Sequence, residues 1–195
     1  FKNSALRLFV ESPKETQTNH SNSPQLTSNI RIQLTLFADP ADAINIEQIR
    51  QVYNPLQFEL IKAHVTLCRE DEIVNLEQII ANLQLLTPTQ HNLFLEFGKV
   101  ARFDNGNGLF LPASNNTKEF EDLRKRILLG LCDNPRKQEP HITLMHPRNS
   151  ICTDEIFEKI EKTDLPGKLE FRKVSLIKQV NGGKWLTLKE FEFKG

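Results

Sequence analysis

The sequence predicts an α+β fold built from two similar halves. Apolar residues alternate with polar ones in some segments, as in strands, and recur every three to four residues in others, as in helices. Glycine-containing turns at residues 104–108 and 181–183 lie between strand-like segments and predict β-hairpins. A four-residue motif and a six-residue string each occur twice in the same order, which indicates an internal duplication.

The predicted elements run in a regular order. Residues 1–29 form an N-terminal arm, with a short strand at Ala5 to Val10 and a polar loop at Glu11 to Asn29, and residues 30–195 form one duplicated domain. The first half contains a strand (Ile30 to Phe37), a helix (Pro40 to about Val52, ended by Asn54-Pro55), a motif strand, a helix (Asp71 to Leu86) and a hairpin (Asn92 to Phe103 with Leu109 to Pro112). The second half contains a helix (Glu119 to Leu131), a motif strand after Pro140, a helix (Asp154 to Lys162) and a hairpin (Lys168 to Phe193).

Composition and charge are typical of a globular protein. The chain has 195 residues, 38% of them hydrophobic, and is long enough to bury a sizeable core. Its 25 Lys and Arg balance its 25 Asp and Glu, so it lacks the basic excess typical of proteins that bind extended nucleic acid. Cys68, Cys132 and Cys152 show no CxxC spacing, and no apolar run is long enough for a membrane span. We therefore expect a cytoplasmic monomer with reduced thiols and no membrane contact.

The repeated motif is His-x-Thr-Leu, at His64-Val65-Thr66-Leu67 and His141-Ile142-Thr143-Leu144. In a strand, His and Thr two positions apart point the same way, about 6.5–7 Å from each other. If the fold brings the copies together, two imidazoles and two hydroxyls converge on one small ligand. In-line attack on a phosphate ester needs this set: a base, an acid and donors for the oxygens.

The repeated string is Leu-Glu-Phe-x-Lys-Val, at Leu95 to Val100 and again at Leu169 to Val174. Each copy follows its motif strand and a helix, and each precedes an Asn-Gly hairpin. Both motif strands are thus expected in equivalent places about a pseudo-two-fold axis, facing one shared cleft.

From about residue 30 to 193, the chain resembles the 2H phosphoesterase superfamily, most of all its 2′-5′ RNA ligase and cyclic-nucleotide phosphodiesterase group. The resemblance implies two pseudo-symmetric lobes of antiparallel sheet with outer helices and a central cleft. Carried over by position, His64 and His141 are the catalytic pair, and Thr66 and Thr143 bind phosphate. It also implies metal-independent chemistry without a cofactor, on a nucleotide or RNA end. The reaction is hydrolysis of a 2′,3′-cyclic phosphate or a 2′-5′ bond, or the reverse ligation.

Several further residues are candidates for substrate contacts. Arg69 and Arg148 lie just beyond the two motif strands, where they are placed to bind phosphate, or else to form surface ion pairs. His146 is a candidate for the cleft rim. Aromatic residues could stack a base or simply pack in the core and hairpins: Tyr53, Phe103, Phe110 and Trp185.

Rival chemistries fit the sequence less well. Cys68 stands four residues from His64, about 13 Å along a strand, which is too far for a thiolate–imidazole dyad. The His and Cys spacings match no zinc-ligand pattern, and residues 105–108 lack the Lys of a phosphate-binding loop. Two alternatives remain open: a binding module that recognises RNA ends or nucleotides without turnover, and an ester hydrolase that uses histidine differently.

Overall fold

The fold is α+β with antiparallel sheets, as the sequence predicts, and was obtained as a computed structural model that describes residues 28–104, 106–114 and 116–195. The predicted strand Ala5 to Val10, and nearly all of the predicted loop Glu11 to Asn29, lie outside these residues. The strands are β1 (Ile30–Phe37), β2 (His64–Cys68), β3 (Leu93–Glu96), β4 (Ala101–Arg102), β5 (Leu109–Pro112), β6 (His141–Met145), β7 (Lys168–Phe171), β8 (Lys173–Val180) and β9 (Leu186–Glu192). The helices are α1 (Ile44–Tyr53), α2 (Pro55–Leu60), α3 (Leu76–Leu86), the 3₁₀ helix Thr87–Thr89, α4 (Lys118–Ile127) and α5 (Asp154–Glu161).

The described strands form a seven-stranded sheet and a two-stranded sheet. The larger has the order β4-β5-β6-β2-β1-β8-β9, with antiparallel neighbours throughout, and the smaller pairs β3 with β7. The motif strands β2 and β6 are therefore neighbours, so the two halves meet within one continuous sheet.

At two positions, a residue of the first half pairs with its own equivalent in the second half. Val65 pairs with Ile142, the second residues of the two motifs, and Leu95 pairs with Leu169, the first residues of the two repeated strings. A pseudo-two-fold axis that relates the halves must pass between the members of both pairs. The duplication predicted from sequence thus relates the two halves of the fold, and its axis runs beside both motifs.

The halves are interlocked rather than side by side. Strand β5 pairs with β6 as β1 pairs with β2, so it begins the second half, although the sequence predicts Leu109 to Pro112 in the first. β4 of the first half pairs with this β5, and β8 of the second half pairs with β1 of the first. The helices cross as well, since α1 packs against β6 and α4 against β2. Each motif strand is consequently held by elements from both halves.

One face of the large sheet is apolar and packs into the core. Its central strands contribute six side chains that are fully buried: Leu34, Leu36, Val65, Leu67, Ile142 and Leu144. Burying side chains of this size stabilises the fold by about 1.5–3 kcal/mol each. Because strand side chains alternate, the residues between these six lie on the opposite face, which is the face available to a ligand.

The element boundaries differ from the predicted ones for local reasons. The helix expected from Asp71 begins at Leu76, because the Asn75 side chain caps it by accepting a hydrogen bond from the Gln78 N–H at 3.1 Å. Asn54-Pro55 does end α1, but Pro55 also starts the short helix α2, which was not predicted. Proline is well suited to the first position of a helix, since no N–H is needed there.

The two predicted hairpins are confirmed in their inner parts only. β4 pairs with β5, and β8 pairs with β9 through a turn in which Asn181 (φ 50°) and Gly182 (φ 73°) adopt left-handed conformations. The outer segments, β3 and β7, leave these hairpins and pair with each other. No helix in the described part of the chain is long and apolar enough to cross a membrane.

Candidate active site

The two motifs bring four polar side chains to one face of the sheet. Because Val65 pairs with Ile142 in antiparallel register, His64 lies across from Thr143 and Thr66 lies across from His141. All four are half-buried, whereas their neighbours Val65, Leu67, Ile142 and Leu144 are fully buried. These four residues, His64, Thr66, His141 and Thr143, are called the His–Thr quartet below. Each imidazole thus stands beside the hydroxyl of the other motif.

Both imidazoles are oriented in the same way. His64 Nδ1 lies 2.7 Å from the carbonyl oxygen of Lys62, and His141 Nδ1 lies 2.9 Å from the carbonyl oxygen of Glu139. A carbonyl oxygen only accepts hydrogen bonds, so Nδ1 carries the proton in each ring. The Nε2 atoms are left to exchange protons with a ligand.

The surroundings of His64 keep it neutral. Burial is the largest cause that lowers its pKa, from 6.5 to about 4, and the nearby positive charges of Arg50 and His141 lower it further. The hydrogen bond to the Lys62 carbonyl opposes this shift. The pairing of Val65 with Ile142 places the two rings on adjacent strands. At neutral pH, His64 is therefore an unprotonated imidazole that can accept a proton.

Each motif strand has a bulged neighbour beside its threonine. The bulge in β1 lies at Leu34/Thr35, next to Thr66, and the bulge in β5 lies at Leu109/Phe110, next to Thr143. Bulges re-aim side chains and are frequent near active sites. Because the bulges recur at equivalent positions, they belong to the duplicated unit.

The neighbours placed beside the two threonines differ. The buried Gln33 donates hydrogen bonds from Nε2 to Thr66 Oγ1 at 3.1 Å and to Thr35 Oγ1 at 2.9 Å. With its oxygen engaged as an acceptor, the Thr66 hydroxyl is free to donate its own proton. In the second half, β5 instead places Phe110 beside Thr143.

Aromatic rings flank both histidines edge-on. Phe37 lies 6.0 Å from the His64 ring, whereas Phe103 and Phe110 lie 5.8 and 5.3 Å from the His141 ring. Phe103 and Phe110, which were candidates for base stacking or packing, pack against each other at 4.6 Å as well as against His141. These rings restrict water around the imidazoles and limit their rotation.

A buried ion pair holds the segment that precedes His64. Arg50 donates to Glu47 Oε2 and to the Ile61 carbonyl, both at 2.6 Å, and Glu47 Oε1 accepts the Ala63 N–H at 2.6 Å. The segment held in this way contains Lys62, whose carbonyl orients the His64 ring. Arg50 is only 1% exposed, so this contact is shielded from solvent.

Sequence reasoning missed Gln33, Glu47 and Arg50, although a signal for the last two was present. The pattern apolar-Glu-x-apolar-Arg occurs in α1 as Ile46 to Arg50 and again in α4 as Phe120 to Arg124. Both arginines are buried and donate to backbone carbonyls, Arg124 to that of Leu67. This third repeated string identifies buried supports of the motif strands.

The other candidate residues lie in two places. Arg69 is half exposed and faces Asp71, 3.6 Å away, in the loop after β2. His146 and the exposed Arg148 follow β6, where the Arg148 N–H donates to His146 Nδ1 at 3.2 Å. Burial, Arg148 and Arg31 together lower the pKa of His146, so Arg31 of β1 lies near this pair.

The thiol and metal alternatives find little support in the described residues. Burial raises the pKa of Cys68 to about 12, which makes its thiol unreactive. No group of three or more His, Cys, Asp or Glu residues in the described ranges is arranged to hold a metal ion.

Comparison with protein families identifies the chain's relatives. The family model for the 2′-5′ RNA ligase superfamily matches residues 37–183, which include both motifs. The chain belongs to the 2′-5′ RNA ligase superfamily. This assignment agrees with the resemblance that the two motifs and the repeated strings carry. A search of curated protein sequences finds no match.

Solved structures of this superfamily's fold are similar to the chain at low sequence identity. The apo structure of E. coli LigT has a TM-score of 0.59 at 16% identity, covering 86% of this chain and 99% of that one. A structure described as a phosphoesterase has a TM-score of 0.55 at 16% identity, covering 86% and 100%. E. coli LigT complexed with 3′-AMP has a TM-score of 0.54 at 15% identity, covering 85% and 98%. These similarities support the fold.

Proposed function

We propose that this superfamily member is a metal-independent phosphodiesterase that opens nucleoside 2′,3′-cyclic phosphates, or cleaves 2′-5′ phosphodiesters, by two-histidine acid–base catalysis. The observation that carries the proposal is the cross-strand His–Thr quartet, in which each imidazole stands beside the other motif's hydroxyl. A phosphate bound between β2 and β6 would meet a proton acceptor, a proton donor and two hydroxyl donors.

The surroundings of the two histidines suggest how they divide the work. His64 is neutral at pH 7, so its Nε2 accepts the proton of the attacking water as the water oxygen bonds to phosphorus. His141, in its protonated form, delivers a proton from Nε2 to the ribose oxygen as the P–O bond breaks. Thr66 and Thr143 donate to the nonbridging oxygens. With a nucleotide 5′-hydroxyl in place of water, the same steps join two ends: His64 accepts the hydroxyl proton as its oxygen bonds to phosphorus, the P–O3′ bond breaks, the 3′ oxygen takes a proton from His141, and a 2′-5′ bond remains.

Nucleotide substrates are further supported by the structural relatives. E. coli LigT has been crystallised with NADP+, with 3′-AMP and with ATP. His146 and Arg148, beside the end of β6, are suitable contacts for a substrate phosphate. Arg69, the first residue after β2, is already paired with Asp71 at 3.6 Å and is therefore less available to a phosphate.

The test is turnover of nucleoside 2′,3′-cyclic phosphates and 2′-5′ dinucleotides, with and without EDTA. We expect His64→Ala and His141→Ala each to lose at least about 100-fold in kcat, since acid–base groups contribute about 10²–10⁴-fold. EDTA should have no effect. His91→Ala is the matched control, because His91 is exposed and lies outside the quartet. Full activity in either quartet variant would refute the proposal, and binding without turnover would favour the binding-module alternative.

A further inference from the structure

A cavity of about 1060 Å³ lies between α1, the segment before His64 and the strands β8 and β9. Thr66 pairs with Thr35, Thr35 with Ser175, and Ser175 with Glu190, which lines the cavity. Directly paired residues share a face, so this row, whose middle members Thr35 and Ser175 are fully buried, connects the quartet to the cavity wall at Glu190. The cavity also shares two groups with the surroundings of His64: the Phe37 ring and Lys62.

The cavity wall includes aromatic rings whose positions are held by charged side chains. Trp185, which directly precedes β9, is half-buried and has the Arg31 guanidinium 5.2 Å from its ring centre. Arg31 is held in turn by Glu70 at 2.9 Å and by Gln179 at 3.2 Å. Phe58 has the Lys62 ammonium 4.6 Å from its ring centre. The rings of Trp185, Phe58 and Phe37 therefore line the cavity in defined orientations.

The charges in the lining favour a neutral ligand over a phosphate. Lysine and arginine side chains of the cavity are mostly paired with its own carboxylates: Lys184 with Glu59, Arg172 with Glu170, and Lys173 with Glu190 and Glu192. Three more carboxylates, Asp39, Asp42 and Glu47, also line it. A flat, uncharged group with an aromatic face, such as a nucleobase, suits these walls.

The position of Trp185 sets the size of a ligand that reaches both the quartet and this ring. Trp185 lies against Arg31, which is four residues, about 13 Å, along β1 from Thr35, the residue paired with Thr66. A base cannot span that distance from its own phosphate when the phosphate is bound at the quartet. The base of the adjoining nucleotide can.

We propose that this cavity is a nucleoside subsite in which the base next to the reacting nucleotide stacks on Trp185. The inference rests on the proposed function and narrows its substrate class to a dinucleotide or a longer RNA 3′ end that carries a 2′,3′-cyclic phosphate. Arg31, Gln179 and Glu70 hold the Trp185 platform, while the quartet acts on the terminal phosphate.

Direct binding can be followed through Trp185 itself, because it is the single tryptophan of the chain. We expect a dinucleotide 3′-monophosphate to quench its fluorescence at concentrations about tenfold lower than a nucleoside 3′-monophosphate does. A dinucleotide with an abasic ribose at its first position should lose that advantage. Equal quenching by all three ligands, or none, would overturn the subsite.

Kinetics provide the second test. Stacking of a base on an aromatic side chain contributes substantially to binding. Trp185→Leu should therefore raise KM for a dinucleotide 2′,3′-cyclic phosphate by about tenfold or more. We expect kcat, and both constants for the mononucleotide, to stay unchanged, and Trp185→Phe to restore most of the KM. Phe94→Leu is the matched control, since Phe94 is 46% exposed in β3 and also has a lysine, Lys168, over its ring.

The two proposals fail in different ways. If dinucleotides quench Trp185 but no cyclic phosphate is opened, the subsite stands and the proposed function falls. If mononucleotide and dinucleotide substrates turn over with the same KM, and Trp185→Leu changes neither, the function stands and the subsite falls.

Discussion

The two motif strands carry the same four-residue pattern but stand in different surroundings. Both rings use Nδ1 to contact the carbonyl two residues upstream, which is the part of the geometry that the duplication preserves. The neighbours differ: Gln33 reaches Thr66, whereas Phe110 lies beside Thr143, and the buried Arg50 stands near His64. The duplication thus accounts for a symmetric set of groups, and under the proposed function the unlike neighbours would give the two histidines different roles.

The buried arginines of α1 and α4 are also equivalent residues with different contacts. Arg50 pairs with Glu47 of its own helix and holds the chain before His64. Arg124 pairs with Glu72, outside its own helix, and donates to the carbonyl of Leu67, the last residue of the first motif, and to that of Arg136, before the second motif. Equivalent residues therefore support opposite ends of the same strand, β2, and only Arg50 lowers the pKa of His64.

The largest expected effect separates the two histidines by role. A nucleotide 4-nitrophenyl phosphodiester has a leaving group that departs without a proton, so it needs no general acid. We expect His141→Ala to recover most of its loss of about 10²–10⁴-fold on this substrate, while His64→Ala remains inactive. The measurement is nitrophenolate release for both variants. If His64→Ala recovered activity instead, His64 would be the proton donor and His141 the acceptor. If both variants recovered, the two histidines would not have separate acid and base roles.

The two threonines should differ by a smaller factor. The Thr66 hydroxyl is oriented by Gln33 before a ligand arrives, and preorganised donors contribute most to stabilising developing charge. We expect Thr66→Val to lower kcat by about 100-fold and Thr143→Val by about tenfold.

Gln33→Leu provides the internal check on this prediction, because it leaves both hydroxyls in place. It should lower kcat by several-fold in the native chain and have no further effect in Thr66→Val. An equal loss in the two threonine variants would show that the Gln33 contact has no influence on catalysis.

The quartet was predictable from sequence, but its supports were not. A strand's period of two and a repeated motif are local signals, and they are sufficient to align His64 with Thr66 and His141 with Thr143. The contact from Gln33 to Thr66 depends instead on which strand pairs with β2 and on the bulge at Leu34/Thr35. In the same way, Leu95 and Leu169 lie in segments predicted as the outer parts of the hairpin arms that contain β4 and β8, yet tertiary packing pairs these segments with each other.

The smallest expected effect concerns the pH dependence that Arg50 imposes on His64. Protonated His64 cannot accept a proton, so kcat/KM should fall as the pH drops through about 4, the pKa of this imidazole. The double variant Arg50→Met with Glu47→Gln removes a positive charge without leaving a buried carboxylate unpaired. The pKa of His64 should then rise, and the acidic limb of the kcat/KM profile should move up by about half a pH unit to one unit. The pKa of His64 should still stay below 6.5, because burial, the largest cause of its lowering, remains.

The control removes the ion pair of the equivalent buried arginine, Arg124→Met with Glu72→Gln. Both double variants lose buried hydrogen bonds, so both should unfold more easily, but only the first should move the acidic limb. Folding must be monitored by circular dichroism across the range. The unfolded chain binds a proton at His64 near pH 6.5 and the folded chain only near pH 4, so stability declines as the pH falls between these values. If the acidic limb shifted equally in the two double variants, the pKa of His64 would depend on a general loss of packing and not on the charge of Arg50.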